Sequence, residues 1–536
     1  MNSQSIDKKI PIVVGVTGHR TIRESDRAAL FERAKAELAG LQARCPNSPI
    51  RLLTSLAEGG DQLCAEAATA LGIPLIAALP MSADEFERDF SPEALERFRA
   101  FCAKAEQVFT VPYTEAADEE LSRDFLYRQA GIYISAHSHL LLALWDGGPG
   151  TEAACGTAEA VDFSLHGSYA PIKGAPLRSG SNTAVIHVFT PRGERCGESA
   201  GTVYMLGDMD ALREVLERTD EFNRLAGESG PLKNRRLLKN AERDQILRRI
   251  EQVSMVSGSL SERYARIYRR VLALLAAAST VLTLAFLLYD EAEAVWMILV
   301  CGAMLLAALL LQRIAVRSDC NRRYIEFRSL AECLRVETFL RYAGGRVLVS
   351  ELLPWTEQAE TAWVLNALCA LEIGPPPQTA HEIRSCWLEG QRDYHLRAGR
   401  KTLRKLLFSG RVVRTALLLS VALYLAALCF ELLCGGLIFR PQIFVANVEQ
   451  YRTALKILLG VISAATLFIG NYYGRLSLDR KKADHRKMAR FYQKMSDQLQ
   501  KRGQVDPLLE LIAREELIEN GNWCSYQRDN GPDFSI

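Results

Sequence analysis

Residues 271–312 read VLALLAAASTVLTLAFLLY, then DEAEA, then VWMILVCGAMLLAALLLQ: two uncharged runs joined by a short acidic turn. A helix rises 1.5 Å per residue and a hydrocarbon layer is ~30 Å thick, so each run is long enough to cross it. Buried helices of soluble proteins seldom run this far without a charge, and a membrane hairpin is expected here.

Toward the C-terminus the pattern returns. TALLLSVALYLAALCFELLCGGLIF (415–439) and ALKILLGVISAATLFIGNYY (454–473), whose clean apolar stretch starts at Ile457, make a second apolar pair, followed by the basic segment RLSLDRKKADHRKMARFYQKMSDQL (475–499). Basic run, apolar pair, basic helix occurs twice, which reads as duplication of a two-helix membrane unit. Arg263, Arg266, Arg269 and Arg270 precede the first run, and Arg313, Arg317, Arg322 and Arg323 follow the second. Lys401, Arg404, Lys405, Arg411 and Arg414 precede the third, and Arg475, Arg480, Lys481 and Lys482 follow the fourth. Positive flanks stay inside, so four transmembrane helices in two hairpins are expected, multi-pass in the cell inner membrane with both termini cytoplasmic. Glu431 is the one ionisable residue inside an apolar run, a position that faces a bundle interior or pore, or reaches the interface; it is the candidate for membrane function. Gly302, Ala303, Ala307, Gly460 and Ala464 permit close helix approach within one chain or between protomers, and a homo-oligomer is expected.

Toward the N-terminus the composition changes. PIVVGVTG (11–18), IRLLTSL (50–56), LIAALP (75–80), QVFTVP (107–112), LLLALW (140–145) and AVIHVFTP (184–191) are strand-like, with amphipathic helices between them. Ser25 is placed to cap a helix with Phe31, Ala34, Leu38 and Leu41 on its apolar face, and Ser82 with Glu85 reads as a capping box opening a long helix. Alternation at this spacing implies an α/β doubly wound parallel sheet, Rossmann-like. The expected divisions are 1–205 for this domain, 206–270 for a charged helical connector, 271–345 for the first membrane unit, 346–413 for a helical linker and 414–536 for the second unit. MNSQSIDKKIP has no apolar core of signal-peptide length, which suits a cytoplasmic first domain. The 13 cysteines include no C-x-x-C pair or zinc spacing, so no metal site is expected. A net charge of +2 gives no argument for nucleic acid as a partner.

In an open parallel sheet, ligands bind outside the carboxyl ends of the strands. Three loops there carry unusual residues. Gly15, Thr17, Gly18, His19 and Arg20 offer close backbone approach, free N–H groups and a guanidinium for a phosphate. Ser55, Glu58, Gly59, Gly60 and Asp61 offer an acceptor for ribose hydroxyls beside two glycines. Trp145, Asp146 and Gly147 follow the LLLALW strand, with Gly156 and Thr157 opening the next helix; Trp145 suits either core packing or a base-stacking platform. Any one of these glycines alone is an ordinary turn; the convergence of three loops on one sheet edge makes the ligand site. None is a G-x-G-x-x-G or a Walker loop.

GVTGHR (15–20), SLAEGGDQLCAEAATALGIPLIAALP (55–80), LLLALWDG (140–147) and CGTAEAV (155–161) together resemble the SLOG superfamily, Rossmann-like proteins related to LOG phosphoribohydrolases and DNA-processing proteins. The two hairpins, YIEFRSLAECLR (324–335) above all, resemble SLATT membrane effector units. The resemblance implies that Gly18, Arg20, Glu58, Gly59, Asp61, Asp146 and Thr157 border a nucleotide pocket. It also implies a membrane effector gated by a nucleotide or ADP-ribose-type second messenger, permeabilising the membrane in bacterial antiphage defence by abortive infection. The implied partners are the messenger, the lipid bilayer and a messenger-producing enzyme; no resident cofactor and no catalytic residue are expected. LOG hydrolases carry P-G-G-x-G-T-x-x-E, where this chain has Ala154, Cys155, Gly156, Thr157, Ala158, Glu159: the first part is missing and the glutamate comes one place early. The alternative is a membrane-tethered hydrolase of a nucleotide or NAD N-glycosidic bond using Glu58 or Glu159.

Overall fold

The computed structural model describes residues 8–112, 122–148, 156–166, 184–192, 199–230, 237–238, 245–291, 294–354, 361–377, 379–433, 447–475 and 478–529. Ala154, Cys155 and the end of the third apolar run at 434–439 lie outside them. The chain divides into two compact units, one of Met1–Leu260, Glu326–Ile383 and Gln504–Ser525, the other of Ser261–Ile325, Arg384–Gly503 and Tyr526–Ile536.

The first unit holds the expected sheet. Its strands are β1 (Ile12–Gly18), β2 (Ile50–Thr54), β3 (Leu75–Leu79), β4 (Gln107–Thr110), β5 (Leu140–Trp145), β6 (Ala184–Phe189) and β7 (Val203–Leu206), in the order β4-β3-β2-β1-β5-β6-β7. All pairings are parallel except β6 with β7, an antiparallel edge that the apolar pattern did not announce because β7 is short and half-exposed. Successive side chains of a strand face opposite sides, so Ile12, Val14 and Val16 enter one core and Val13 the other; Leu140, Leu142 and Leu144 divide from Leu141 and Ala143 in the same way. That is why β1 and β5 carry apolar runs in place of an apolar–polar alternation.

The helices of this unit are α1 (Glu24–Arg44), α2 (Gly60–Ala70), α3 (Ala83–Phe86), α4 (Pro92–Lys104), α5 (Arg123–Ala136), α6 (Thr157–His166) and α7 (Met209–Glu228). Two start signals read from sequence are corrected. Helix α1 begins after Arg23, with Ser25 already inside it and its hydroxyl turned to Asp26; Leu30 joins Ala34, Leu38 and Leu41 in the core, and Phe31 packs half-buried against it. Ser82 makes no side-chain cap bond, and the helix behind it stops at Phe86. The long helix opens instead at Ser91, whose Oγ accepts from Ala94 N ahead of Pro92 at the first position.

Helix α7 is tied to the start of the sheet. Asn223 accepts from Ile10 N (2.8 Å) and donates to Ile10 O (2.8 Å), while Asp220 accepts from Asn47 N (2.9 Å) and Ser48 Oγ (2.8 Å). Chain-distant segments finish the unit: the first turns of α8 (Gln245–Glu291), α10 (Cys320–Tyr342) from Glu326 onward, α11 (Val349–Leu352), α12 (Ala362–Glu372) and α16 (Asp506–Asp529) to Ser525. Ala370 and Ile373 enter the second sheet core beside Val13, Leu53 and Ile76. Phe222, fully buried, meets Phe327 and Trp363, and Trp363 Nε1 donates to Glu326 (3.0 Å).

Two carboxyl groups are buried here with no room for charge. Glu337 accepts from Val349 N (3.0 Å) and Glu372 from Ser350 N (3.1 Å) and Ser350 Oγ (2.5 Å). Burial pushes Glu337 up to about 7, and burial followed by repulsion from Glu337 pushes Glu372 well above the ordinary range. Stability from a raised carboxyl is present at low pH and lost as pH rises from 4.5 through about 7. His139, pushed down to about 4 by burial, acts oppositely as pH falls below 6.5. Glu372→Gln is therefore expected to gain stability on wild type as pH rises above the ordinary carboxylate range. Paired thermal unfolding curves check it; an unchanged difference between the two proteins contradicts it.

The second unit is helical: the remainder of α8, α9 (Met297–Ser318), α13 (Gly390–Leu433), α14 (Val448–Arg475) and α15 (Leu478–Arg502). Among the described residues three helices are long and apolar enough to cross a membrane, α8, the helix starting at Met297 and α13, with mean hydropathies of 2.5, 2.2 and 2.3 in their apolar windows. Leu299, Leu309 and Leu418 are each more than 60% exposed, which hydrocarbon tolerates and water does not. The fourth apolar run lies on α14, whose side chains are described only to Thr466. A Cβ on Gly460 of α14 would meet Leu287 Cδ1 of α8 at 2.7 Å, so that small residue serves packing inside the chain.

Candidate functional site

The chain runs outward from β1 to β4 and then returns to lay β5 on the other side of β1. Where the order reverses, the loops leaving β1 and β5 part, and a cleft forms over the strand ends. It has a volume of about 590 Å³. Its floor is Val16, Thr17 and Gly18 of β1; Ser55, Ala57 and Asp61 close one side; Gly156 and Thr157 at the start of α6 face Tyr127, Arg128 and Gly131 of α5.

Arg20 is exposed at the mouth, its guanidinium over the Tyr127 ring at 4.9 Å. Tyr127 is held from behind by Asp89, which takes the Tyr127 hydroxyl and Arg123 (2.7 Å). The ring face holds the cation at the mouth of the cleft while Arg20 stays exposed.

His19 is buried and structural. Its N–H donates to Leu144 O (3.0 Å) and its carbonyl accepts from Gly60 N (3.0 Å), joining β1, β5 and α2. Burial, then Arg192, lowers its pKa, so the ring is neutral and has one N–H. Its Nδ1 faces the Arg192 guanidinium, and its Nε2 faces Asp146, 3.0 Å from the backbone N and 3.1 Å from Oδ1. Burial pushes Asp146 up, but the Gly148 N–H, His19 and Arg192 together hold it below the usual carboxylate range. The triad places Arg192, more than half exposed, on the rim of the cleft.

Asp61 organises the β2–α2 turn. Its Oδ2 accepts from Thr54 Oγ1 (3.0 Å) and Ser55 Oγ (2.8 Å), and Leu56, at φ 58, donates its N–H to Thr54 Oγ1 (3.0 Å). Burial raises Asp61 to about 6 against these hydrogen bonds. Across the cleft Arg128 donates to Glu159 at 3.2 and 3.4 Å, linking α5 to α6.

Of the residues singled out in sequence, Thr17, Gly18, His19, Arg20, Ser55, Asp61, Gly156 and Thr157 come together around the cleft. Asp146 holds two of its lining residues, His19 and Arg192, and the others do not line it. A Cβ on Gly15 would meet Ser138 Oγ at 2.4 Å, so this glycine admits the α5–β5 turn. Gly60 lets α2 cross against Gly18, where a Cβ would stand 2.8 Å from the Gly18 Cα, and Gly59 packs under the carbonyls of His19 and Arg20. The carboxylate of Glu58 accepts from Ser91 N (3.1 Å) and Ser91 Oγ (2.7 Å) at the head of α4. Trp145 packs against His187, ring centroids 5.1 Å apart, and Gly147 sits beside the same imidazole. Tyr127, Arg128 and Arg192 escaped the sequence reading; the only signal was an arginine and a tyrosine one helical turn before Gly131.

Glu431 lies in the second unit, where Arg452 of α14 donates to it twice, at 2.6 and 2.7 Å. This fork joins α13 to α14 near their connection. Removing Arg452 alone leaves a carboxylate without that partner in an apolar helix; Arg452→Leu is expected to lower the yield of membrane-inserted protein several-fold, and Glu431→Leu with Arg452→Leu to restore it. Quantitative blotting of the membrane fraction checks this, and equal yields of both variants would contradict it.

Among the described residues no group of three or more His, Cys, Asp or Glu is placed to hold a metal. Compared with models of known protein families and with curated proteins, the chain gives no match.

Proposed function

We propose that the chain is a ligand-gated membrane effector whose first unit is a SLOG-like sensor and whose apolar helices form two SLATT-like hairpins. The observation that carries the reading is the cleft at the strand reversal, with Arg20 stacked on Tyr127, Arg192 on the rim and the start of α6 on its wall. Guanidinium forks and helix N-termini favour phosphate, and an aromatic ring beside them favours a base or sugar face. The ligand class is a nucleotide-derived messenger, of ADP-ribose or cyclic-nucleotide type, supplied by a partner enzyme. Helix α14 supplies the fourth crossing, both termini are cytoplasmic, and protomers associate to permeabilise the inner membrane as an antiphage response.

A binding role is favoured over hydrolysis. Glu58 is engaged by Ser91 and does not line the cleft, and Glu159, which lines it, is paired with Arg128. Gating requires differential affinity: moving a population from 1:99 to 99:1 takes roughly 10⁴-fold tighter binding to the active state.

The test is isothermal titration of the full chain in detergent against cyclic nucleotides, NAD, ADP-ribose and cyclic ADP-ribose isomers, with product analysis alongside. A fragment ending at 205 would lose α7 and the α12 segment that complete the sheet cores. Saturable binding without turnover supports a sensor; turnover would replace this reading with the hydrolase, and no binding to any compound would remove it.

A further inference from the structure

His395 and His485 lie outside the cleft and outside the apolar runs, on α13 and α15 of the second unit. They are 90 residues apart in sequence, yet their Nδ1 atoms stand 3.1 Å apart and their ring centroids 5.2 Å. Gly399 makes the approach possible: a Cβ there would already touch the His485 Cβ at 3.5 Å. Tyr394 stands edge-on to both rings, at 5.2 and 6.3 Å, and Tyr492 leans on His395 at 5.6 Å. The pair is thus walled by aromatic rings, with His395 buried.

We propose that His395 and His485 form a binding site for a late first-row divalent metal ion of the zinc and copper class. Two imidazole nitrogens on one tetrahedral zinc ion, each at ~2.0–2.1 Å, lie about 3.3 Å apart, so the observed spacing needs only a small adjustment of the rings. Without an ion, facing Nδ1 atoms require one ring to donate a hydrogen and the other to accept it. An ion replaces that hydrogen and uses both lone pairs, so binding releases a proton and weakens as pH falls through the imidazole range. All-imidazole donors select zinc, copper or nickel over magnesium and calcium. No third His, Cys, Asp or Glu joins the pair among the described residues, so the two imidazoles are the donors that define the site. Helix α13 leads into one apolar stretch and α15 follows the next, so a bound ion ties the helix entering this hairpin to the one leaving it.

The test is equilibrium dialysis of metal-stripped full-length protein in detergent against Zn²⁺ near neutral pH. Wild type and His166→Gln, a surface control, are expected to retain one zinc per chain; His395→Gln and His485→Gln are expected to retain none. Should the variants aggregate, wild type alone decides: its zinc is expected to fall at least tenfold from pH about 7.5 to about 5, and Co²⁺ in its place to give visible d–d absorption. Saturable zinc unchanged in the double variant, unchanged across that pH range, or lacking in wild type overturns the proposal.

Discussion

Gly59→Ala is expected to destabilise the first unit by at least about 3 kcal/mol, a large share of the ~5–15 kcal/mol that holds an ordinary domain together. Gly59 has φ +95, and a Cβ there would stand 2.3 Å from both the His19 and the Arg20 carbonyl oxygens. A side chain in that backbone region costs about 1–3 kcal/mol before any collision. The colliding atoms have little freedom, because the His19 carbonyl already accepts from Gly60 N and the His19 N–H is held by Leu144. Gly40→Ala is the matched control: nothing lies within 4 Å of its Cβ position, and in a helix it is expected to be neutral or stabilising by up to ~1 kcal/mol. Thermal unfolding of both variants checks the pair, and equal stabilities would contradict the packing described for α2.

Arg20→Ala is expected to weaken ligand binding about 100-fold while leaving unfolding unchanged. A fork bonded to an anionic ligand loses about 3 kcal/mol on truncation, and each 1.4 kcal/mol is tenfold. Arg20 is exposed and its one described contact is the Tyr127 ring, so the fold loses little with it. Tyr127→Leu separates two contributions: it keeps Arg20 but removes the surface that orients it, and about 10-fold weaker binding is expected. Titration calorimetry reads both; an Arg20→Ala affinity within threefold of wild type would place the ligand elsewhere.

What the sequence revealed follows from how each feature is encoded. Strands β1 to β6 are short apolar runs because both faces of the sheet are covered, and burial of that kind writes itself locally. What covers the second face was not legible: Ala370 and Ile373 arrive from more than 200 residues beyond most of the strands they pack on. The loops at the strand ends pointed to the cleft, yet the glycines in them were open to two interpretations. Gly59 and Gly60 admit the neighbouring backbone, and Glu58 is engaged by a serine 33 residues away. Tyr127, Arg128 and Arg192 reach the cleft through tertiary folding alone, as His395 reaches His485. The apolar helices were plain because hydrocarbon demands length without charge, whereas the partner of Glu431 was not, since Arg452 lies in the next helix.

The measurement that tests the central claim most directly is dye release from liposomes holding the full chain, triggered by whichever compound of the nucleotide panel binds. Release is expected to saturate with ligand in wild type and to need about 100-fold more ligand in Arg20→Ala, in step with its lost affinity. Release independent of ligand, or no release from wild type at saturating ligand, would contradict a gated membrane effector.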